Sequence, residues 1–180
     1  MAAYGQAGRP NLSWERPVIL VTVGTQLPFD RLVKAMDQWA AAHPQEMVEA
    51  QIGTASYIPQ NMVWHGQLTM QEFRLRYEAA SLIVSHAGIG NILLALEMRK
   101  PIIVMPRRAV FGEHRNDHQI ATVKWFKDKA GILVVEDEAE LDAVLASADQ
   151  NVTAAPFSQY ASPELLETVR NFVEGRESDS

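Results

Sequence analysis

The chain has 180 residues (20.1 kDa), of which 47% are hydrophobic and 21% charged, and a formal net charge of −6. That length suits one well-buried domain rather than two, and the acidic balance argues against a general nucleic-acid binder. With no cysteine, disulfides, thiolate chemistry and cysteine metal sites are excluded, which fits a reducing cytoplasm.

Residues 1–16 hold Gly5, Gly8 and Pro10 among polar neighbours, lack the apolar core of a signal peptide, and read as a loosely docked arm. Residues 18–23, VILVTV, form an apolar strand, far short of the ~18 residues a membrane helix needs. Gly24-Thr25-Gln26 turns the chain, Pro28 is placed to open a helix, and Phe29, Leu32, Val33, Met36, Trp39 and Ala40 recur at helical spacing before His43-Pro44 stops it. Residues 47–52 and 62–64 read as strands, and Thr69-Met70-Gln71-Glu72 is a capping box opening a helix through Phe73, Tyr77 and Ala80.

The stretch 81–119 carries the argument. A buried strand at 81–85 ends in His86-Ala87-Gly88-Ile89-Gly90, a helix starts near Asn91, a strand follows at 102–105, and a polar loop leads into a helix over 117–129. A strand at 131–135, a helix at 138–148 and an amphipathic helix from Ser162 through Leu166, Val169 and Phe172 complete the pattern, before a short polar tail at 176–180. About six strands separated mostly by helices call for one domain over 17–175, an α/β fold with a single doubly wound, Rossmann-like parallel sheet.

In such a sheet, ligands bind beyond the carboxyl ends of the strands. Gly24-Thr25, the turn from His86 to Asn91, and the loop 106–119 all follow strands, so topology gathers them at one edge. Glycines allow close backbone approach, and the free N–H groups of a helix start suit a diphosphate. GxG alone is weak, since many such junctions need glycine for geometry and bind nothing. The loop adds Arg107, Arg108 and Arg115, whose planar forks fit phosphate or carboxylate, with His114, Asn116, His118 and Gln119. The competing reading is a solvated loop whose arginines pair with Glu113 and Asp117. His114 and His118 are four apart without the HExxH order, so no metal site is expected. His86 is open to a structural role, and the aromatic and Met residues on helical faces belong to the core.

With VTVGTQLPFDRLV at 21–33, QIG at 51–53, SHAGIGNILLALEMRKPIIVMPR at 85–107 and GEHRNDHQ at 112–119, the chain resembles the carboxyl-terminal, donor-binding half of the GT-B glycosyltransferases of family 28. Among these it is most like stand-alone versions: the catalytic subunit of the eukaryotic dolichol-linked N-acetylglucosaminyltransferase and bacterial exopolysaccharide glycosyltransferase subunits. The resemblance implies one half of a GT-B fold and a UDP-sugar donor as substrate rather than a cofactor. The diphosphate would lie against Gly24, Thr25, His86, Ala87, Gly88, Ile89, Gly90 and Asn91, with His118 and Gln119 near the sugar. It implies a polyprenyl-pyrophosphate-linked saccharide acceptor, metal-independent inverting transfer, and a membrane-associated partner that supplies the acceptor half and recruits the chain from the cytoplasm to the inner face of the membrane. The three arginines favour UDP-glucuronate, and Glu113, His114 and His86 are candidate bases. Relatives often carry a ribose-binding glutamate where this chain has Leu94, with Glu97 one turn on. A non-catalytic nucleotide-sugar-binding or regulatory module, or an epimerase-like enzyme, is the alternative.

Overall fold

The computed structural model describes residues 17–127, 131–152 and Glu167. Six strands, β1 (Val18–Thr22), β2 (Met47–Gln51), β3 (Val63–His65), β4 (Leu82–His86), β5 (Ile102–Met105) and β6 (Ile132–Val134), form one sheet in the order β3-β2-β1-β4-β5-β6. Every pairing is parallel. This is the doubly wound sheet expected from the alternation of apolar runs and amphipathic helices, with its order reversing at β1 and β4.

Strand β1 is buried at all five positions because both faces are covered. Ile19, Val21 and Val23 pack with Leu32, Val33, Met36 and Ala40 of α1 (Asp30–Ala42) and Leu141, Leu145 and Ala148 of α5 (Leu141–Val152). Leu20 belongs to the opposite layer, with Tyr77 of α2 (Met70–Ala79), Ile92 and Ala95 of α3 (Ile89–Glu97), and Val123 and Phe126 of α4 (His118–Phe126). The two-residue alternation of a strand thus divides one apolar run between two cores.

The expected boundaries shift most at three helices. Helix α1 begins at Asp30, with Phe29 as a fully buried N-cap, rather than at Pro28. Helix α3 begins at Ile89, two residues before Asn91. The helix read over 138–148 splits into a 3-10 turn, Glu138–Glu140, and α5, because Asp137 caps the turn by accepting from the Ala139 N–H at 3.1 Å. The capping box at Thr69 is formed in both directions. The arm at 1–16, the helix from Ser162 apart from Glu167, and the tail at 176–180 lie outside the described residues. None of the described helices is long and apolar enough to cross a membrane.

Candidate active site at the carboxyl edge of the sheet

The central strands end in a polar row. Thr22 of β1 is in register with Gln51 of β2 and Ser85 of β4, and all three are buried. The Thr22 hydroxyl donates to Gln51 Oε1 at 2.8 Å, and Gln51 Nε2 donates to the carbonyls of Gly24 at 3.0 Å and Gly66 at 3.3 Å. Buried polar groups must be satisfied, and here they fix the turn that follows β1.

His86, the last residue of β4, stands between the two glycine turns. A Cβ on Gly88 would collide with His86 Nε2, and one on Gly24 would meet Cε1 at 3.0 Å. Gly24 also holds φ of +74°, so both geometry and space demand glycine there. The imidazole Nδ1 lies 3.3 Å from Asn91 Nδ2 and 3.4 Å from Ser85 Oγ, and Asn91 Nδ2 donates to Ser85 Oγ at 2.6 Å. Burial, and then the Arg107 guanidinium, pull the His86 pKa down to about 4, with the Thr22 carbonyl opposing them. His86 is therefore neutral at physiological pH.

Gly88 is the N-cap of α3. The N–H groups of Ile89 and Gly90 hold no backbone or side-chain partner among the described residues, whereas Asn91 and Ile92 already bond to the Gly88 carbonyl. Two free amides at a nine-residue helix start beside a neutral imidazole can receive an anion. A Cβ on Gly90 would meet nothing within 4 Å among the described residues, so none of their atoms requires glycine at that position. The Tyr77 hydroxyl, on α2, donates to the Asn91 carbonyl at 3.0 Å and anchors this first turn from behind. Ala87 is buried, while Thr25 is exposed on the facing turn.

The three arginines of the next loop have separate fates. Arg107 is 3% exposed; its Nη2 donates to the carbonyls of Val23 and Leu27, its carbon Cζ lies 5.3 Å from the Phe29 ring centre, and its Nε has no partner among the described residues. It fastens the β1–α1 turn. Gln119, also buried, uses Oε1 to accept from the Arg107 N–H at 3.1 Å. Arg108 donates through Nη2 to the Glu136 carbonyl at 2.6 Å. Arg115, Asn116 and His118 are exposed, and Arg115 makes no hydrogen bond or ion pair among the described residues.

Of the candidate bases, Glu113 is held by Arg31, with Nε to Oε1 at 2.8 Å and Nη2 to Oε2 at 3.0 Å, and its Oε2 also accepts from the Arg108 N–H at 2.8 Å. Arg31 reaches further, to Pro106 O at 2.9 Å and Glu138 Oε2 at 3.0 Å. Its pKa rises because the hydrogen bonds and charges of those two carboxylates outweigh desolvation, the largest single influence, which acts to lower it. Sequence reading missed Arg31, whose carboxylate partners lie 82 and 107 residues away and leave no local signal. His114 is half-buried. Leu94 packs against the apolar cluster behind α3, and Glu97 is exposed. A groove of about 550 Å³ between α1 and the 138–142 segment is lined by Lys34, Gln38, Trp39, His43 and Asp142, and none of the glycine-turn residues lines it. Among the described residues no three His, Asp or Glu side chains converge.

Residues 18–170 match the glycosyltransferase family 28 C-terminal domain. The chain belongs to that family. It is 34% identical over 76 residues to a UDP-N-acetylglucosamine–N-acetylmuramyl-(pentapeptide) pyrophosphoryl-undecaprenol N-acetylglucosamine transferase of Phocaeicola vulgatus, a match covering 42% of this chain and 19% of that enzyme. The fold is similar to the solution structure of ALG13, with a TM-score of 0.58 at 18% identity over 85% of this chain and 94% of that one. It is also similar to Acinetobacter baumannii MurG, with a TM-score of 0.54 at 17% identity over 89% of this chain and 50% of that one. The chain thus spans about half of MurG and a fifth of its curated relative.

Proposed function

We propose that this family 28 domain is the donor-binding half of a hexosyltransferase that moves a sugar from a UDP-sugar to a polyprenyl-pyrophosphate-linked saccharide in exopolysaccharide assembly. The observation that carries this reading is the neutral His86 clamped between Gly24 and Gly88 beside the amides of Ile89 and Gly90, which have no partner among the described residues. The substrate classes follow the Phocaeicola vulgatus relative, whose name specifies a UDP-sugar and a pyrophosphoryl-undecaprenol acceptor.

In the inverting displacement proposed, the acceptor hydroxyl attacks the anomeric carbon, the bond from that carbon to the UDP oxygen breaks, and the hydroxyl proton passes to a base. The α3 amides and His86 stabilise the negative charge that grows on the departing diphosphate, so no metal is needed for that task. A histidine with a pKa of about 4 is a weak base, which suits His86 to donating a hydrogen bond rather than taking the proton. Glu113, with both oxygens engaged by Arg31, is poorly placed to accept it. His114 or a group on a membrane-associated partner supplying the acceptor half is the better base. Arg115 supports UDP-glucuronate as donor, because its fork is exposed with no partner among the described residues to neutralise it. The packing of Leu94 in an apolar cluster favours a second reading, a nucleotide-sugar-binding module without turnover.

Calorimetric titration with UDP tests the site: the wild-type chain binds, and a folded Gly88→Val variant does not. Unchanged affinity in that variant would overturn the site. Turnover of a UDP-sugar with a lipid-linked acceptor, raised by co-expression of the partner, separates transferase from binding module. Competition between UDP-glucuronate and UDP-glucose decides the donor.

A further inference from the structure

Arg31, in the first turn of α1, ties three segments of the carboxyl edge together. Its Nε and Nη2 grip the two oxygens of Glu113 at 2.8 and 3.0 Å, Nη2 also donates to the Pro106 carbonyl at 2.9 Å, and Nη1 donates to Glu138 Oε2 at 3.0 Å. Its Cζ lies 5.3 Å from the ring centres of both Phe29 and Phe111, which fixes the plane of the fork. The Arg31 and Glu113 side chains are 12% and 9% exposed, so water competes little for this two-pronged pair.

The clasp holds the segment that follows it. Among the described residues, the hydrogen bonds of 114–116 stay inside 114–118: the Asn116 N–H donates to His114 Nδ1 and the His118 N–H to Asn116 Oδ1, both at 3.4 Å. Such long local bonds shape the segment without fixing where it lies. Its place is set by its flanks, where Glu113 meets Arg31, Asp117 Oδ1 accepts from the Ala109 N–H at 2.9 Å, and Gln119 Oε1 accepts from the Arg107 N–H. Of these three, only the Glu113 tie leaves the stretch 106–119 for another element of the fold. The bonds of Arg107 to Val23 and Leu27, and of Arg108 to Glu136, act at the other end of the loop. Burial and then the Arg107 guanidinium do most to lower the His86 pKa, and the His114 imidazole adds to them, which places the residue next to Glu113 beside the anion site.

We propose that Arg31 is a positioning residue for the donor sugar: through Glu113 it sets His114 and Arg115 against the sugar, and so governs the sugar's share of donor affinity without touching the donor. This rests on the donor-site reading above. The diphosphate is received by the α3 amides and His86, with which Arg31 shares no hydrogen bond, whereas the sugar is left to the loop on the same edge. A displacement on the order of 1 Å is enough to forfeit a directional contact. A lysine at 31 keeps the charge that balances Glu113, but a single ammonium cannot serve the carboxylate fork, Pro106 and Glu138 at once.

Calorimetric titration of the full chain with UDP, UDP-glucose and UDP-glucuronate reads this as the ratio of UDP-sugar affinity to UDP affinity, taken for whichever UDP-sugar the wild type binds more tightly. Arg31→Lys lowers that ratio about tenfold, as loss of one charge-assisted hydrogen bond would, and leaves UDP affinity unchanged. Replacing His114 and Arg115 together by alanine also lowers the ratio, and in that background Arg31→Lys has no further effect, because the side chains it positions are gone. Val48→Ala, a buried change in the amino half of β2, controls for lost stability: it lowers the melting point and leaves the ratio as it was. The proposal is overturned by an unchanged ratio in Arg31→Lys, by an equal loss of UDP affinity in that variant, by a fall of the same size in Val48→Ala, or by a full further fall in the double-alanine background. A wild-type chain that binds no UDP strikes the donor-site reading and this inference with it, whereas each of the other four outcomes strikes the inference alone.

Discussion

The turn after β4 and the loop after β5 lie at the same edge of the sheet but are built in opposite ways. The first, His86 to Asn91, carries no charge at neutral pH and leaves two backbone amides free among the described residues. The second holds three arginines, yet Arg107 is bonded to Val23 and Leu27 and Arg108 to Glu136, which leaves Arg115 alone exposed. At this edge, residue charge is thus a poor guide to which donors are left free among the described residues. An arginine fork serves equally well to tie loops together, and the free donors can be backbone atoms that no composition reveals.

Replacing arginines one at a time gives the widest separation. Arg107→Ala leaves the carbonyls of Val23 and Leu27 buried without its donors, and is expected to cost about 3–5 kcal/mol of stability. Arg115→Ala removes a side chain with no hydrogen bond or ion pair among the described residues and should change stability by no more than about 0.5 kcal/mol. Denaturant melts of both variants measure the difference; equal midpoints would remove the contrast. If Arg115 meets the donor's carboxylate, its loss also weakens UDP-glucuronate binding and leaves UDP binding alone.

How much of this was legible follows the range of each signal. The strands, their alternation with helices, and the convergence of Gly24, His86–Asn91 and 106–119 on one edge were readable because periodicity and turn chemistry are local. The start of α1 at Asp30 was not, because Phe29 is pulled into the core by tertiary packing rather than by helix propensity. Nor was the Arg31–Glu113 pair, which joins the first helix to the β5–α4 loop. Gly88 was legible as a glycine the turn requires, but the reason lay beyond the sequence: it makes room for an imidazole two residues earlier.

The next contrast is in pH dependence. His86 has a folded-state pKa of about 4 against 6.5 in the unfolded chain, so between those values the unfolded state binds more protons. The stability that the neutral imidazole contributes is complete above pH 6.5 and lost as pH falls towards 4, on the order of 3 kcal/mol in all and about 2 of it by pH 5. His86→Gln should flatten that decline in melts at pH 7 and pH 5. A wild-type chain whose melting point falls between those values no more than that of the variant would show that His86 is not held neutral. Diphosphate binding works the other way, since an anion favours the imidazolium: UDP affinity of the wild type should rise as pH falls relative to His86→Gln.

The smallest effect separates the two glycines of a single turn. Gly88→Ala must move the His86 ring and so loses stability and UDP affinity together. Gly90→Ala places its methyl group in open space within the first turn of α3. Alanine in a helix is favoured over glycine by about 0.5–1 kcal/mol, so this variant should melt slightly higher than wild type. If the open space is where the diphosphate sits, the same variant binds UDP more weakly, and stability and affinity move in opposite directions. A Gly90→Ala protein that gains stability and keeps full UDP affinity would show that the diphosphate does not approach that residue. The anion site would then narrow to the Ile89 amide and His86.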